Sequence, residues 1–281
     1  MGLQLWYSTV TGIRRKGTTF SELQDIFIDN ITTKFICEPL LCCGFNDSAF
    51  EAKNLMEQRD FDILGVTKDN KAIGYIRRQN LKHGSVKDYT ITFNLNELIS
   101  DSTPIAELLD LLSDQGYIFI LNKNQVTGIV AKADINKPIV RLYLFGIISL
   151  FELHLNFWII KFHDDLGWQN LIGDKRLEVS KQIYKERRGQ NLDLTLLECL
   201  QLCDKREILK QTDQFREIFN FSKTKFQDFL EDVEKVRNEI AHSQSSIIAN
   251  LSWDDFILAI NNIKSFLSIS EEELIKNKYQ H

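Results

Sequence analysis

The sequence predicts an α+β protein: a mixed strand-and-helix module over residues 1–137, followed by an all-helical domain over 138–281. Three observations carry that prediction. The first half of the chain matches itself without gaps at an offset of 54 residues. Glycine-bearing apolar strands stop after Lys137-Pro138. Beyond that point apolar residues recur at threes and fours, the period of an amphipathic helix.

Composition sets the frame. A chain of 281 residues exceeds one average domain, so two are expected. Hydrophobic residues make up 43%, which excludes a disordered chain. The formal charge, 34 − 39 = −5, excludes a broad basic surface that coats nucleic acid unselectively and leaves room for a local basic site. Three prolines and thirteen glycines imply few turns and many helices. Of the five cysteines, Cys37, Cys42 and Cys43 share an apolar run, and Cys199 and Cys203 lie four apart. No histidine is close enough in sequence to complete a zinc pattern, so they read as reduced thiols of a cytoplasmic protein, and no metal site is expected. The N-terminus lacks the apolar stretch of a signal peptide. Trp6 stands where a myristoylation signal needs Ser or Thr. Residues 1–25, Trp6 and Tyr7 included, give no functional signal.

The repeat is read as follows. Asp47-Ser48 falls on Asp101-Ser102, Ala52 on Ala106 and Leu55 on Leu109. ILGVTKDNKAIGYIRRQN (63–80) then falls on YIFILNKNQVTGIVAKAD (117–134), with Gly74 on Gly128 and Asn80 on Asp134. Each copy, about 26–81 and 82–137, reads as a helix, an apolar strand, a short polar turn and a second strand. A unit this small cannot bury a sheet face alone, so the two are expected to pack on each other.

The pair resembles tandem cystathionine-β-synthase-type (CBS) repeats, which form a regulatory module binding adenine nucleotides in clefts between repeats. The family's strand ending is Gly, two apolar residues, Thr or Ser, two variable residues and Asp. GIVAKAD (128–134) keeps Gly128 and Asp134 and has Ala131 at the hydroxyl position; GYIRRQN (74–80) has Arg77 there and Asn80 in place of the acid. The resemblance implies a regulatory adenine nucleotide of AMP or ATP type. Asp134 would hold ribose hydroxyls, Asn80 would stand in the matching place, and Arg77 would meet a phosphate through its fork of donors. A pair that has lost its ligand and serves dimerisation is the other reading.

Pro138 is placed to open a helix. The run IVRLYLFGIISLFELHLNFWII (139–160) has the length of a membrane span. It carries Arg141, Glu152, His154 and Asn156, and ionised groups mid-span cost ~2.5–3.5 kcal/mol each. A long packed helix, serving an oligomer interface and no membrane, is expected instead. Further helices are expected near 168–187, 193–210, 212–220, 222–243 and 251–268, with a short separate one from 270 whose first turn is Glu271–Glu273. In FQDFLEDVEKVRNEIAHS, Phe226, Phe229, Leu230, Val233, Val236 and Ile240 form one apolar stripe.

That helix ends in RNEIAH. Asn238 and His242 are four apart and share a face, about 40° and about 6 Å from each other, whereas Arg237 and His242 diverge by about 140°. Two copies of the helix set antiparallel across a two-fold axis could aim both groups at one atom. Arginine neutralises charge building on a phosphate, histidine passes a proton near neutrality, and asparagine orients either. The same trio would also suit a solvated helix with no catalytic task. In its helical setting RNEIAH resembles the Arg-x4-6-His signature of HEPN domains, helical bundles that include many metal-independent ribonucleases working as dimers. The resemblance, over roughly 138–275, implies that Arg237 and His242 are catalytic with Asn238 beside them, that RNA is the substrate and its 2′-hydroxyl the nucleophile, and that no cofactor is required. Glu152 and His154 could line the same pocket, or form a buried salt bridge or dimer contact. Arg187-Arg188 ends a helix where cations favour the dipole, or touches RNA.

The combined expectation is a nucleotide-regulated endoribonuclease acting as a homodimer through its helical domain, with a stress-response or anti-phage role. The alternative is a non-catalytic CBS-type dimer whose helical half recruits a protein partner. A third has that half neutralising a nucleotidyltransferase.

Overall fold

The computed structural model describes residues 6–7, 14–15, 18–189, 194–241 and 246–278. They divide into two compact units, Phe27–Ile139 and Met1–Ile26 with Val140–His281. Phe20–Ile26 of the first helix, placed above in the 1–137 module ahead of the repeats, fall in the unit of the helices. Strands β1 (Trp6–Tyr7) and β2 (Arg14–Arg15) pair antiparallel. Helix α1 (Phe20–Asn30) opens on a reciprocal cap: the Thr19 amide donates to Glu22 (2.9 Å) and the Glu22 amide to Thr19 Oγ1 (3.0 Å), which satisfies two otherwise orphaned donors. The Phe20 amide donates to the Glu271 carboxylate, a tie to the helical unit.

In the unit Phe27–Ile139 the chain runs β3 (Glu38–Pro39), β4 (Cys42–Gly44), α2 (Ala49–Arg59), β5 (Ile63–Lys68), β6 (Lys71–Arg77), β7 (Ile91–Thr92), β8 (Leu98–Ser100), α3 (Ile105–Asp114), β9 (Tyr117–Asn122) and β10 (Gln125–Ala131). The hairpin strands begin 54 residues apart (117 − 63 and 125 − 71). β5 and β9 share one burial pattern, three buried residues in the middle of each. Leu64, Val66, Ile76 and Leu81 are buried in the first copy, and Ile118, Ile120, Val130 and Ile135 occupy the matching places in the second.

Two four-stranded sheets result, β4-β5-β6-β7 and β3-β10-β9-β8. Each is parallel at its β4–β5 or β8–β9 junction and antiparallel elsewhere. The copies exchange edge strands: β3, encoded with the first, pairs with β10 of the second, and β7, encoded with the second, pairs with β6 of the first. This accounts for the paired glycines. A Cβ at Gly74 would meet the Ile91 carbonyl oxygen at 2.2 Å, and one at Gly128 the Glu38 carbonyl oxygen at 3.0 Å. The β5–β6 turn places Asp69 and Asn70 at φ 51° and 60°, the left-handed pair that a two-residue hairpin requires.

The helical unit comprises α4 (Pro138–Gly167), α5 (Asp174–Arg188), α6 (Leu202–Gln211), α7 (Asp213–Ile218), α8 (Lys223–Ala241) and α9 (Trp253–Lys278). Pro138 is the first residue of α4, where its missing N–H leaves no bond unmade. Among the described residues one helix, over Pro138–His163, is long and apolar enough to cross a membrane, and 56% of its most apolar window is buried inside the structure. Tyr143, Ile147, Phe151, Leu155 and Trp158 are buried on it. The α8 stripe Phe226, Phe229, Leu230, Val233, Val236 and Ile240 is buried in full; burial of such side chains stabilises by about 1.5–3 kcal/mol each. Phe229 packs on Phe151 at 5.5 Å between ring centroids.

The separate helix expected from residue 270 does not exist. α9 runs unbroken through Glu271–Glu273, since no Gly or Pro interrupts 253–278. Ser270 holds the helix interior in place: its Oγ accepts from Trp158 Nε1 and bonds His154 Nδ1, both at 2.7 Å.

Candidate functional site

The strongest candidate is a cleft of the helical unit. Arg237 and Asn238, on the last turns of α8, line a cavity of about 330 Å³ together with Glu152 of α4, Arg187 of α5, and Glu198 and Glu234. With Val233, Val236 and Ile240 inward, Arg237 falls about 40° from Val233 at the edge of the buried face, whereas Asn238 is exposed and meets the cavity from the outer side of the helix. Glu152 Oε1 lies 3.9 Å from Arg237 Nε. Its Oε2 lies 3.3 Å from Lys205 Nζ of α6, a residue only 3% exposed. Burial lowers the pKa of Lys205, and the Glu152 carboxylate opposes that shift. The other two acids have local partners: Glu198 accepts from Thr195 N (2.7 Å) and Oγ1 (2.8 Å), and Glu234 lies 3.8 Å from Arg206.

The two adjacent arginines of α5 divide. Arg187 lines the cavity. Arg188 donates to the Tyr184 hydroxyl at 2.7 Å and lies over that ring. His154 does not enter the cleft: it is fully buried against Ser270, and burial pushes its pKa down to about 4. Arg237 and Asn238 are thus brought to one cavity, while His242 lies outside the described residues.

Sequence reasoning missed Lys205. The signal was present: Leu202, Lys205, Ile208 and Leu209 keep helical spacing and are all buried, so a lysine stands where an apolar residue belongs. Among the described residues, no group of three His, Cys, Asp or Glu side chains could hold a metal ion.

A second cavity, of about 870 Å³, opens in the repeat unit, where Arg77, Tyr117, Glu97, Lys53 and Arg78 are among its lining residues. Arg77 Nη2 donates to the Tyr117 hydroxyl at 2.6 Å, Tyr117 donates to the Tyr75 oxygen at 3.2 Å, and Tyr75 donates to Glu97 at 2.9 Å. The guanidinium thus reaches a carboxylate through two phenols, and it lies 5.8 and 5.7 Å from the centres of the two rings. The tyrosine hydroxyls raise the Arg77 pKa, and burial raises that of Tyr75. Arg78 is turned to Asp60 (3.2 Å) and Asp62 (2.6 Å).

Asn80 and Asp134 do not line this cavity. Asn80 is exposed at the end of a short turn. The Asp134 carboxylate is used locally: Oδ2 accepts from the Ala131 amide at 2.7 Å, and Oδ1 pairs with Lys137 Nζ at 3.0 Å. Lys137 also bonds Glu38 and the Ile36 carbonyl. The acid therefore closes the turn after β10, and Lys137 ties that turn to β3.

No family model and no curated protein matches the sequence. Solved structures similar to it include a conserved protein from Pyrococcus horikoshii, at 20% identity over 38% of this chain and 90% of that one, with a TM-score of 0.34. CBSX2 in complex with AMP is 16% identical over 40% of this chain and 97% of that one, with a TM-score of 0.36. The CBS domain of a bacterial CNNM/CorC family Mg2+ transporter in complex with ATP is 13% identical over 43% and 96%, with a TM-score of 0.35.

Proposed function

We propose that the chain is a cytoplasmic endoribonuclease whose activity answers to an adenine nucleotide held by a CBS-type repeat pair. The observation that carries the reading is the cleft in which Arg237 and Asn238 meet a second guanidinium, Arg187, around one cavity. In the reaction the RNA 2′-oxygen bonds to its neighbouring phosphorus, the bond to the 5′-oxygen breaks, and a 2′,3′-cyclic phosphate and a free 5′-hydroxyl result. Arg237 offsets the charge that builds on the phosphate oxygens. His242 takes the 2′-hydroxyl proton or supplies one to the leaving oxygen, and Asn238 orients the phosphate or the imidazole. The nucleophile comes from the substrate, so the chemistry asks for no metal or cofactor. Two copies paired through their helical domains would bring two sets of these groups to one strand.

In the repeat pair, Arg77 would take the nucleotide phosphates, and the 870 Å³ cavity has room for such a ligand. Nucleotide binding would act on the cleft through the pairing of the two copies, to the extent that the ligand prefers one pairing. The engagement of Asp134 inside its own turn favours a second reading, a ligand-free repeat scaffold whose helical half recruits a protein partner.

Purified protein incubated with total RNA, with and without EDTA and with and without AMP or ATP, tests both. Cleavage that survives EDTA and disappears in Arg237→Ala and His242→Ala supports the nuclease. Equal behaviour of the wild type and both variants sinks it.

A further inference from the structure

The chemistry above leaves Lys205 without a task. Its ammonium is sealed inside the helical unit, a position tolerated when an opposite charge faces it. That charge is Glu152 Oε2, at 3.3 Å. The same carboxylate turns Oε1 toward Arg237 Nε, at 3.9 Å. One acid on α4 therefore stands between a sealed cation on α6 and a guanidinium on α8. Lys205 holds Glu152 in place, because moving the carboxylate would strand a buried ammonium.

Arg237 is placed to use that fixed anion. A third of its side chain is exposed (33%), yet its Nε is buried and makes no hydrogen bond. The exposure therefore lies elsewhere on the side chain, and the two terminal amino groups remain as donors for a ligand in the cavity. We propose that Glu152 is the positioning residue of this cleft: pinned by Lys205, it orients the Arg237 guanidinium for an anionic ligand, which is a phosphodiester on the nuclease reading. The cleavage arm of the test rests on that reading, and the spectroscopic arm does not.

A merely structural Glu152 would serve to neutralise Lys205, so the variants must separate the two roles. Glu152→Gln with Lys205→Met removes both charges together and leaves no buried ion uncompensated. Glu152→Asp keeps a negative charge in the unit and draws it back by about 1.5 Å, one carbon–carbon bond, from Arg237 and Lys205 alike. Three readouts apply. The first is hydrogen exchange at the Arg237 Nε–H, followed by 15N-arginine NMR and assigned by its loss in Arg237→Ala. The second is anisotropy of a 2′-O-methyl RNA oligonucleotide, which binds without being cut. The third is cleavage of the unmodified oligonucleotide.

We expect the double variant to fold with a wild-type urea midpoint, Glu152→Asp to fold with a lowered one, and both to speed Nε–H exchange. Both should also weaken oligonucleotide binding and slow cleavage, each by roughly tenfold, with no further loss when Arg237→Ala is added. Wild-type exchange in a folded double variant, or in Glu152→Asp should the double variant not fold, overturns the proposal. Absence of cleavage by the wild type, with the exchange result as expected, removes the nuclease reading and leaves the positioning role intact.

Discussion

Gly74→Ala tests the exchanged strands directly, because its consequence can be worked from one distance. An added Cβ would stand 2.2 Å from the Ile91 carbonyl oxygen and 3.0 Å from its carbon. Real contacts of that kind do not fall under 3.0 Å, so β7 must withdraw by at least 0.8 Å (3.0 − 2.2). β7 has two residues and two registered pairs, Gly74 with Thr92 and Tyr75 with Ile91. Overpacking of this kind costs about 1–3 kcal/mol, and each ladder bond lost adds about 1 kcal/mol, so a loss of about 2–4 kcal/mol is expected. Gly128→Ala is the internal control. Its Cβ would sit 3.0 Å from the Glu38 carbonyl oxygen, a contact relieved by a shift of a few tenths of an ångström, at about 1 kcal/mol or less. With a urea slope of about 2 kcal/mol/M, the Gly74 variant should lose about 1–2 M in midpoint and the Gly128 variant about 0.5 M. Faster amide exchange at Thr92 in the Gly74 variant would localise the effect. Equal midpoint shifts, or a Gly74→Ala protein as stable as wild type, would show that the close approach of β7 does not explain the glycine.

Three further outcomes are expected. His154 has a folded pKa near 4 against about 6.5 unfolded, so the folded state binds fewer protons between these values. Its contribution is whole above pH 6.5 and is lost as pH falls toward 4, at up to about 1.4 kcal/mol per unit. His154→Gln, which cannot titrate, should flatten that part of the urea-midpoint profile, and a slope unchanged from wild type would refute the assignment. Arg77→Ala should weaken ATP binding, followed by calorimetry, by roughly tenfold or more, since a guanidinium–phosphate contact is lost; unchanged affinity would move the ligand elsewhere. Arg187→Ala should raise the KM for RNA by roughly tenfold with little change in kcat, the mark of lost uniform binding. Arg188→Ala, committed to Tyr184, should leave both nearly alone.

How much of the fold could be read beforehand follows from where its information lies. The 54-residue offset was legible because each hairpin is a local pattern, written twice, and burial repeats at Leu64 and Ile118, Val66 and Ile120, Ile76 and Val130, and Leu81 and Ile135. The exchange of β3 and β7 was not, because a two-residue strand has no period. Its trace is the pair Gly74 and Gly128, which signals a close approach without saying whose backbone approaches. Glu271–Glu273 misled for a different reason. Acids suit a helix start, but they also suit an exposed helical surface, and with no Gly or Pro before them nothing obliges the chain to stop.

The cleft shows the same limit in sharper form. Arg187 and Arg188 are neighbours of one type, about 100° apart on α5, and only the packing of α4, α6 and α8 decides which of them meets the cavity. Glu152, Lys205 and Arg237 are separated by 53 and 32 residues (205 − 152 and 237 − 205), so no local motif contains them. What local reading can supply is the anomaly: a polar group on a stripe that should be apolar. Lys205 on α6 and His154 on α4 are both such anomalies, and burial lowers the pKa of each. They part by partner. His154 faces a serine within the core and stays neutral at pH 7, so its consequence is confined to stability in acid. Lys205 faces a carboxylate shared with an arginine at the rim of a cavity, so its charge is felt where a ligand would sit. The partner, more than the burial, separates a packing compromise from a functional group.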